Sequence, residues 1–139
     1  MGGYFFRCRR CRAVLLGAVL AQGTASAAYA ADGLPTGGHF TAGTGSIAGD
    51  GSALAVSQSS NTGIIDWNSF SIGSGRSVAI DNGSGATLNR VTGSDLSRID
   101  GLFSATGSAY LINRNGIVVG PGGQVITGGC CCKLILIVY

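Results

Sequence analysis

Short apolar alternations, each closed by Gly, Asn, Ser or Asp, fill the chain from Ser46 to Ile126 and leave no stretch with the spacing of an amphipathic helix. Examples are Leu54-Ala55-Val56, Ile65-Asp66-Trp67, Val78-Ala79-Ile80, Tyr110-Leu111-Ile112 and Gln124-Val125-Ile126. Period-two runs of this kind are strand signals, because successive side chains of a strand point to opposite faces. Between them, Gly49-Asp50-Gly51, Asp81-Asn82-Gly83, Asp100-Gly101 and Asn115-Gly116 supply residues that turn the chain at little steric cost. The expectation is an all-β chain of many short strands.

Two architectures fit that pattern. A β-sandwich pairs consecutive strands as antiparallel hairpins, whereas a parallel β-helix winds them into coils whose equivalent strands stack. Residues 31–129 contain no Glu and no Lys and are rich in small polar residues, which suits the thin, repeated turns of stacked coils. Asn115-Gly116, lying between two apolar runs, also reads as a two-residue hairpin turn. A local hairpin on the edge of a β-helix accommodates both readings.

The first thirty residues have a different character. Arg7, Arg9, Arg10 and Arg12 precede the apolar run Ala13–Ala21, and Ala28-Tyr29-Ala30 places small residues at alternate positions. This is the three-part pattern of a secretory signal peptide, and the apolar run is far shorter than the ~20 residues needed to span a bilayer. Cleavage is expected after Ala30, with Ala28 and Ala31 as neighbouring positions, giving a leader over 1–30. Its removal leaves Arg76, Arg90, Arg98, Arg114 and Lys133 against six aspartates, a net charge of −1 rather than the +3 of the whole chain. A nucleic-acid partner is therefore not indicated. Cys8 and Cys11 lie within the leader, Cys130, Cys131 and Cys132 lie at the other end, and nothing between them can form a disulfide. Packing and backbone hydrogen bonds must hold an exported body of this kind.

Catalytic signals are sparse. His39 is the single histidine, and no Gly-x-Ser-x-Gly occurs, so a Ser-His-Asp hydrolase has no support. Gly43–Ala48 loosely matches a dinucleotide loop but precedes no helix, and Asp81–Gly85 lacks the later carboxylate of a calcium loop and reads as a turn. No cofactor and no metal site is expected. Trp67 and Phe70 are expected to fill a core rather than to stack on sugars, and Arg76, Arg90, Arg98 and Arg114 are scattered among aspartates as solvated turn charges.

Four segments stand out in order: Ile65-Asp66-Trp67-Asn68-Ser69-Phe70, Leu88-Asn89-Arg90-Val91-Thr92-Gly93, Ser97-Arg98-Ile99-Asp100-Gly101, and Ile112 through Gly120-Pro121. Together they resemble the amino-terminal secretion domain of filamentous haemagglutinin and other two-partner secretion exoproteins of Gram-negative bacteria. The resemblance implies a right-handed parallel β-helix (β-solenoid) with extra hairpins over residues 31–129, here an incomplete domain. It implies a non-enzymatic secretion signal for a large adhesin or haemagglutinin-like exoprotein. The partner would be an outer-membrane transporter with periplasmic domains and a barrel, and the destination the cell surface or medium, reached through the periplasm. The full-length protein would take host-surface or carbohydrate ligands.

The resemblance assigns transporter recognition to Asn89, Arg90, Val91, Thr92 and Gly93, and to Asn113, Arg114, Asn115, Gly116 and Ile117. By residue type alone, the asparagines equally serve as turn caps that bond their own backbone. Where the family has Asn-Pro-Asn-Gly-Ile, this chain has Asn113-Arg114-Asn115-Gly116-Ile117, and without the proline that fixes φ the turn is expected to be less preformed. Residues 130–139, Cys130 to Tyr139, break abruptly in composition and read as an aberrant apolar tail, as a frameshift or a shortened reading frame would leave; the tail is β-prone, and as an exposed strand it would be an aggregation hazard more readily than a partner for an open coil edge. The competing readings are a fragment of a β-helix polysaccharide-degrading enzyme and a truncated, non-functional gene product.

Overall fold

The computed structural model describes residues 33–128 and the backbone of 134–137. The leader at 1–30, with Ala28, Ala30 and Ala31, and the cysteines at both ends lie outside the described residues.

Among the described residues, twelve strands form in chain order: β1 (His39–Ala42), β2 (Gly45–Gly49), β3 (Ala53–Gln58), β4 (Thr62–Trp67), β5 (Ser77–Asp81), β6 (Ala86–Val91), β7 (Ser97–Ile99), β8 (Leu102–Ala105), β9 (Ser108–Ile112), β10 (Ile117–Val119), β11 (Gln124–Thr127) and β12 (Leu134–Ile137). They assemble as a β-solenoid of about 3 turns. One face carries the order β1-β4-β6-β9-β12, the second β11-β8-β5-β3-β2, and the narrow third joins β10 to β7. Strands β3 and β4 with the Ile72 bridge make the first coil; β5, β6, β7 and then β8, β9, β10 make the next two. Pairing between the coils of the described residues is parallel, while β1 on β4, β2 on β3 and the isolated Thr36–Ser69 bridge are antiparallel.

Stacking in register turns the period-two pattern into columns. Val78, Phe103 and Val125 line up on one inner face, and Ile65, Asn89 and Leu111 on another. Most of these side chains are almost wholly buried, and each large apolar group so enclosed contributes about 1.5–3 kcal/mol. Trp67 and Phe70 meet edge to face at 5.5 Å, and Phe70 meets Phe103 at 5.3 Å, so one aromatic chain crosses the core between coils.

The hairpin falls where the sequence pointed less strongly. Asn115-Gly116 does not form one, because β9 and β10 lie on different faces and β10 pairs in parallel with β7. The hairpin joins β2 to β3 instead, where Asp50 accepts hydrogen bonds from the Ser52 amide (3.0 Å), the Ser52 hydroxyl (2.9 Å) and the Ala53 amide (3.0 Å). Those bonds, the Ser52 amide first, hold the Asp50 carboxyl below its ordinary pKa. At the other end, Leu134–Ile137 adds a parallel rung to β9, with Leu134 opposite Ala109 and Ile137 opposite Ile112.

Candidate functional site

The two motif segments singled out in the sequence sit on neighbouring coils at the same corner. Leu88–Val91 ends β6, and Ile112 ends β9, the strand stacked on it, with Asn113 the next residue and Arg90 opposite Ile112. Alternation along β6 sends Asn89 and Val91 inward and Arg90 outward.

Asn89 is fully buried. Its Oδ1 accepts from the Trp67 indole Nε1 at 3.0 Å, and its Nδ2 donates to the Tyr110 carbonyl at 3.1 Å. One side chain thus ties three successive coils and satisfies an indole N–H that would otherwise be stranded in the core. Thr92 closes the strand by donating from its amide (2.8 Å) and hydroxyl (3.1 Å) to the Trp67 carbonyl. Gly93 is forced by the fold, since a Cβ there would collide with the Asn68 carbonyl of the coil before.

The second segment makes a compact corner. Asn113 is also fully buried. Its Nδ2 donates to the Asp95 carbonyl and the Ser97 hydroxyl, both at 2.9 Å, while its Oδ1 accepts from the Asn115 amide at 2.8 Å and from Asn115 Nδ2 at 3.0 Å. Asn115 Nδ2 also donates to the Gly93 carbonyl at 2.8 Å, so the second motif grips the last residue of the first. The Gly116 amide donates to the Asn113 carbonyl at 3.3 Å, and Gly116 takes φ 117°, a conformation side chains resist. The turn therefore closes without proline, because the Asn113 side chain supplies an Asx bond in its place. Ile117 is half-buried at the start of β10.

Outside, the corner presents an open depression of about 470 Å3 lined by Asp66, Arg90, Val91, Thr92, Ile112 and Arg114. It combines residues of both motifs. Arg90 grips Asp66 through two parallel bonds, Nε to Oδ1 at 2.7 Å and Nη2 to Oδ2 at 2.9 Å. Arg114 is exposed beside them. The arrangement offers guanidinium groups beside an aliphatic floor, which suits a partner carrying carboxylates or peptide carbonyls.

Of the ten residues the resemblance assigned to recognition, Arg90, Thr92, Arg114 and Asn115 face solvent, while Asn89, Val91 and Asn113 have buried side chains and hold the coils. Gly93, Gly116 and Ile117 are intermediate. Asp66 and Ile112 were not singled out individually. Asp66 precedes Arg90 by 24 residues with opposite charge, but other coils stack at offsets from 20 to 27, so only the register of β4 on β6 brings the pair together. Trp67 and Phe70 fill the core, at 1% and 0% exposure. Arg98 pairs with Asp100 at 2.6 Å, and Arg76 bonds the Gly51 carbonyl. Gly43 and Thr44 link β1 to β2, with no helix after them, and Asp81–Gly85 is the corner between β5 and β6.

A family model described as the TPS secretion domain matches residues 31–131. The heme/hemopexin-binding protein of Haemophilus influenzae is 31% identical over 98 residues, a match covering 69% of this chain and 11% of that protein. Among solved structures, the HMW1 secretion domain from Haemophilus influenzae superposes with a TM-score of 0.56 at 30% identity, covering 62% of this chain and 23% of that one. The chain thus spans only a small part of the length of each.

Proposed function

This chain belongs to the TPS secretion domain family, and from that premise we propose that it is the secretion signal of a large adhesin- or haemagglutinin-like exoprotein, directing outer-membrane export through a partner transporter. The observation that carries the reading is the corner where both motifs converge: the Asn115 side chain donates to the Gly93 carbonyl, and Arg90, Thr92 and Arg114 line one depression. Residues 1–30 act as the cleaved leader, and the family match beginning at residue 31 supports that boundary. The work of the domain is recognition and not catalysis. Outward residues of the corner meet the transporter, and Asn89, Val91 and Asn113 set the geometry that presents them. The protein ends at the cell surface or in the medium, where host-surface or carbohydrate ligands engage the exoprotein's other parts.

The test is export of the full chain fused to a passenger in cells carrying its cognate transporter. Passenger in the medium that depends on the transporter is the expected result. Retention in the periplasm with the transporter present would remove the secretion role. The double substitution Arg90→Ser with Arg114→Ser is expected to lower export at unchanged folding; unchanged export would remove the depression from the recognition surface.

A further inference from the structure

The chain contains two Asn-Gly pairs, Asn82-Gly83 and Asn115-Gly116, and the fold treats them in opposite ways. Asn-Gly is the dipeptide most prone to spontaneous deamidation, because glycine leaves its amide nitrogen unshielded. That nitrogen attacks the asparagine side-chain carbonyl carbon, losing its proton to solvent, and the side-chain nitrogen leaves as ammonia. Water then opens the succinimide ring at either carbonyl, leaving aspartate or isoaspartate.

Asn82 is clamped against that reaction. It is 4% exposed. Its Oδ1 accepts from the Gly107 amide (2.6 Å) and the Thr106 hydroxyl (3.2 Å), and its Nδ2 donates to the Thr87 hydroxyl and the Ser108 carbonyl, both at 2.9 Å. Both N–H groups of the amide and its oxygen are engaged, the Thr106 proton being shared with Asp81 Oδ1, so the side chain cannot rotate toward the Gly83 nitrogen without opening the corner. Asn115 is exposed, and among the described residues its Oδ1 accepts no hydrogen bond. The attacking nitrogen of Gly116 is held only by the long 3.3 Å contact to the Asn113 carbonyl, and the space beside Gly116 is open.

We infer that Asn115 is a deamidation site built into the second motif, while Asn82 is protected by the fold. The product cannot do what the amide did. A carboxylate only accepts, yet it would face the Gly93 carbonyl and Asn113 Oδ1, two acceptors that Asn115 Nδ2 now bridges. Conversion therefore cuts the link between the two motif segments and places a new negative charge beside Arg114. The inference rests on the turn geometry alone and stands independently of the export role.

The test is peptide mapping by mass spectrometry of the folded full chain after prolonged warming at neutral pH, with fragmentation that separates isoaspartate from aspartate. Acid is expected to accumulate at position 115 at least about tenfold faster than at 82, because position 82 must wait for the corner to open. In denaturant the two positions are expected to convert at comparable rates. Equal rates in the folded chain, or no conversion at 115, would overturn the assignment. Asn115→Gln is the control that removes the site and leaves position 82 unchanged. Asn115→Asp copies one product and is expected to lower the unfolding midpoint by about 4–8 °C; an unchanged midpoint would overturn the claim that conversion breaks the bridge.

Discussion

Asn89 and Asn113 are both fully buried at the heads of the two motifs, yet they stabilise the molecule at different ranges. Asn89 lies within a strand, and its side chain works along the stack: an indole one coil before, a carbonyl one coil after. Asn113 lies where the strand ends, and its side chain divides between the previous coil (Asp95, Ser97) and its own turn (Asn115). The same amide therefore acts as an inter-coil tie in one place and as a corner brace in the other. What differs is distance from the corner, which sets how much water can take over when the amide is removed.

The largest effect is expected at Trp67. Trp67→Ala removes the aromatic contact with Phe70 and the donor to Asn89 together. It is expected to cost about 3–5 kcal/mol in urea unfolding. A loss below about 1 kcal/mol would mean that the first motif does not depend on the inner column.

Next come the asparagines themselves. Asn89→Ala strands a buried indole N–H and is expected to cost about 1–3 kcal/mol, more than Asn113→Ala, which leaves the buried Ser97 hydroxyl free to turn to another acceptor and returns Asp95 and Asn115, both exposed, to water. Equal costs in parallel denaturation curves would erase the distinction drawn between tie and brace. Arg114→Pro sharpens it from the other side. Restoring the ring at the exposed second position of a turn already closed by Asn113 is expected to add about 0.4–1 kcal/mol, through the unfolded chain. A destabilised variant would show that the turn departs from the geometry proline needs.

The smallest effect belongs to the β2–β3 hairpin, far from both motifs. The carboxyl of Asp50 is held below its ordinary pKa by the Ser52 and Ala53 amides and the Ser52 hydroxyl. Its contribution is fully present above the ordinary aspartate range and is lost as pH falls through the lower folded value. Asp50→Asn is expected to flatten the acid limb of the stability curve slightly; an identical limb in the variant would remove Asp50 as a contributor.

Much of this was legible beforehand. Alternation gave the strands because a period of two is a local property of the chain, and Trp67 and Phe70 read as core because rings of that size remove the most apolar surface from water. The four ordered segments carried the family. The inside and outside of the motifs were not legible to the same degree. Asn89 and Arg90 are adjacent polar residues, and only the phase of β6 decides that one meets an indole and the other meets Asp66. Asn115-Gly116 misled as a hairpin for a related reason: the same dipeptide closes a hairpin or rounds a solenoid corner, and the choice is made by where β10 finds an unpaired edge.

By itself, then, the sequence determined that the chain is all-β, that its turns rest on Gly, Asn and Asp, and which family its motifs belong to, because these depend on neighbours within a few residues. Register decided the rest. Parallel stacking brings together residues from 20 apart (Ser97 with Ile117) to 27 apart (Ile72 with Ile99), and coil lengths that vary this much leave no fixed period to read. Only once the coils stack does Asp66 meet Arg90, does Asn115 reach Gly93, and does one Asn-Gly become locked while the other stays open.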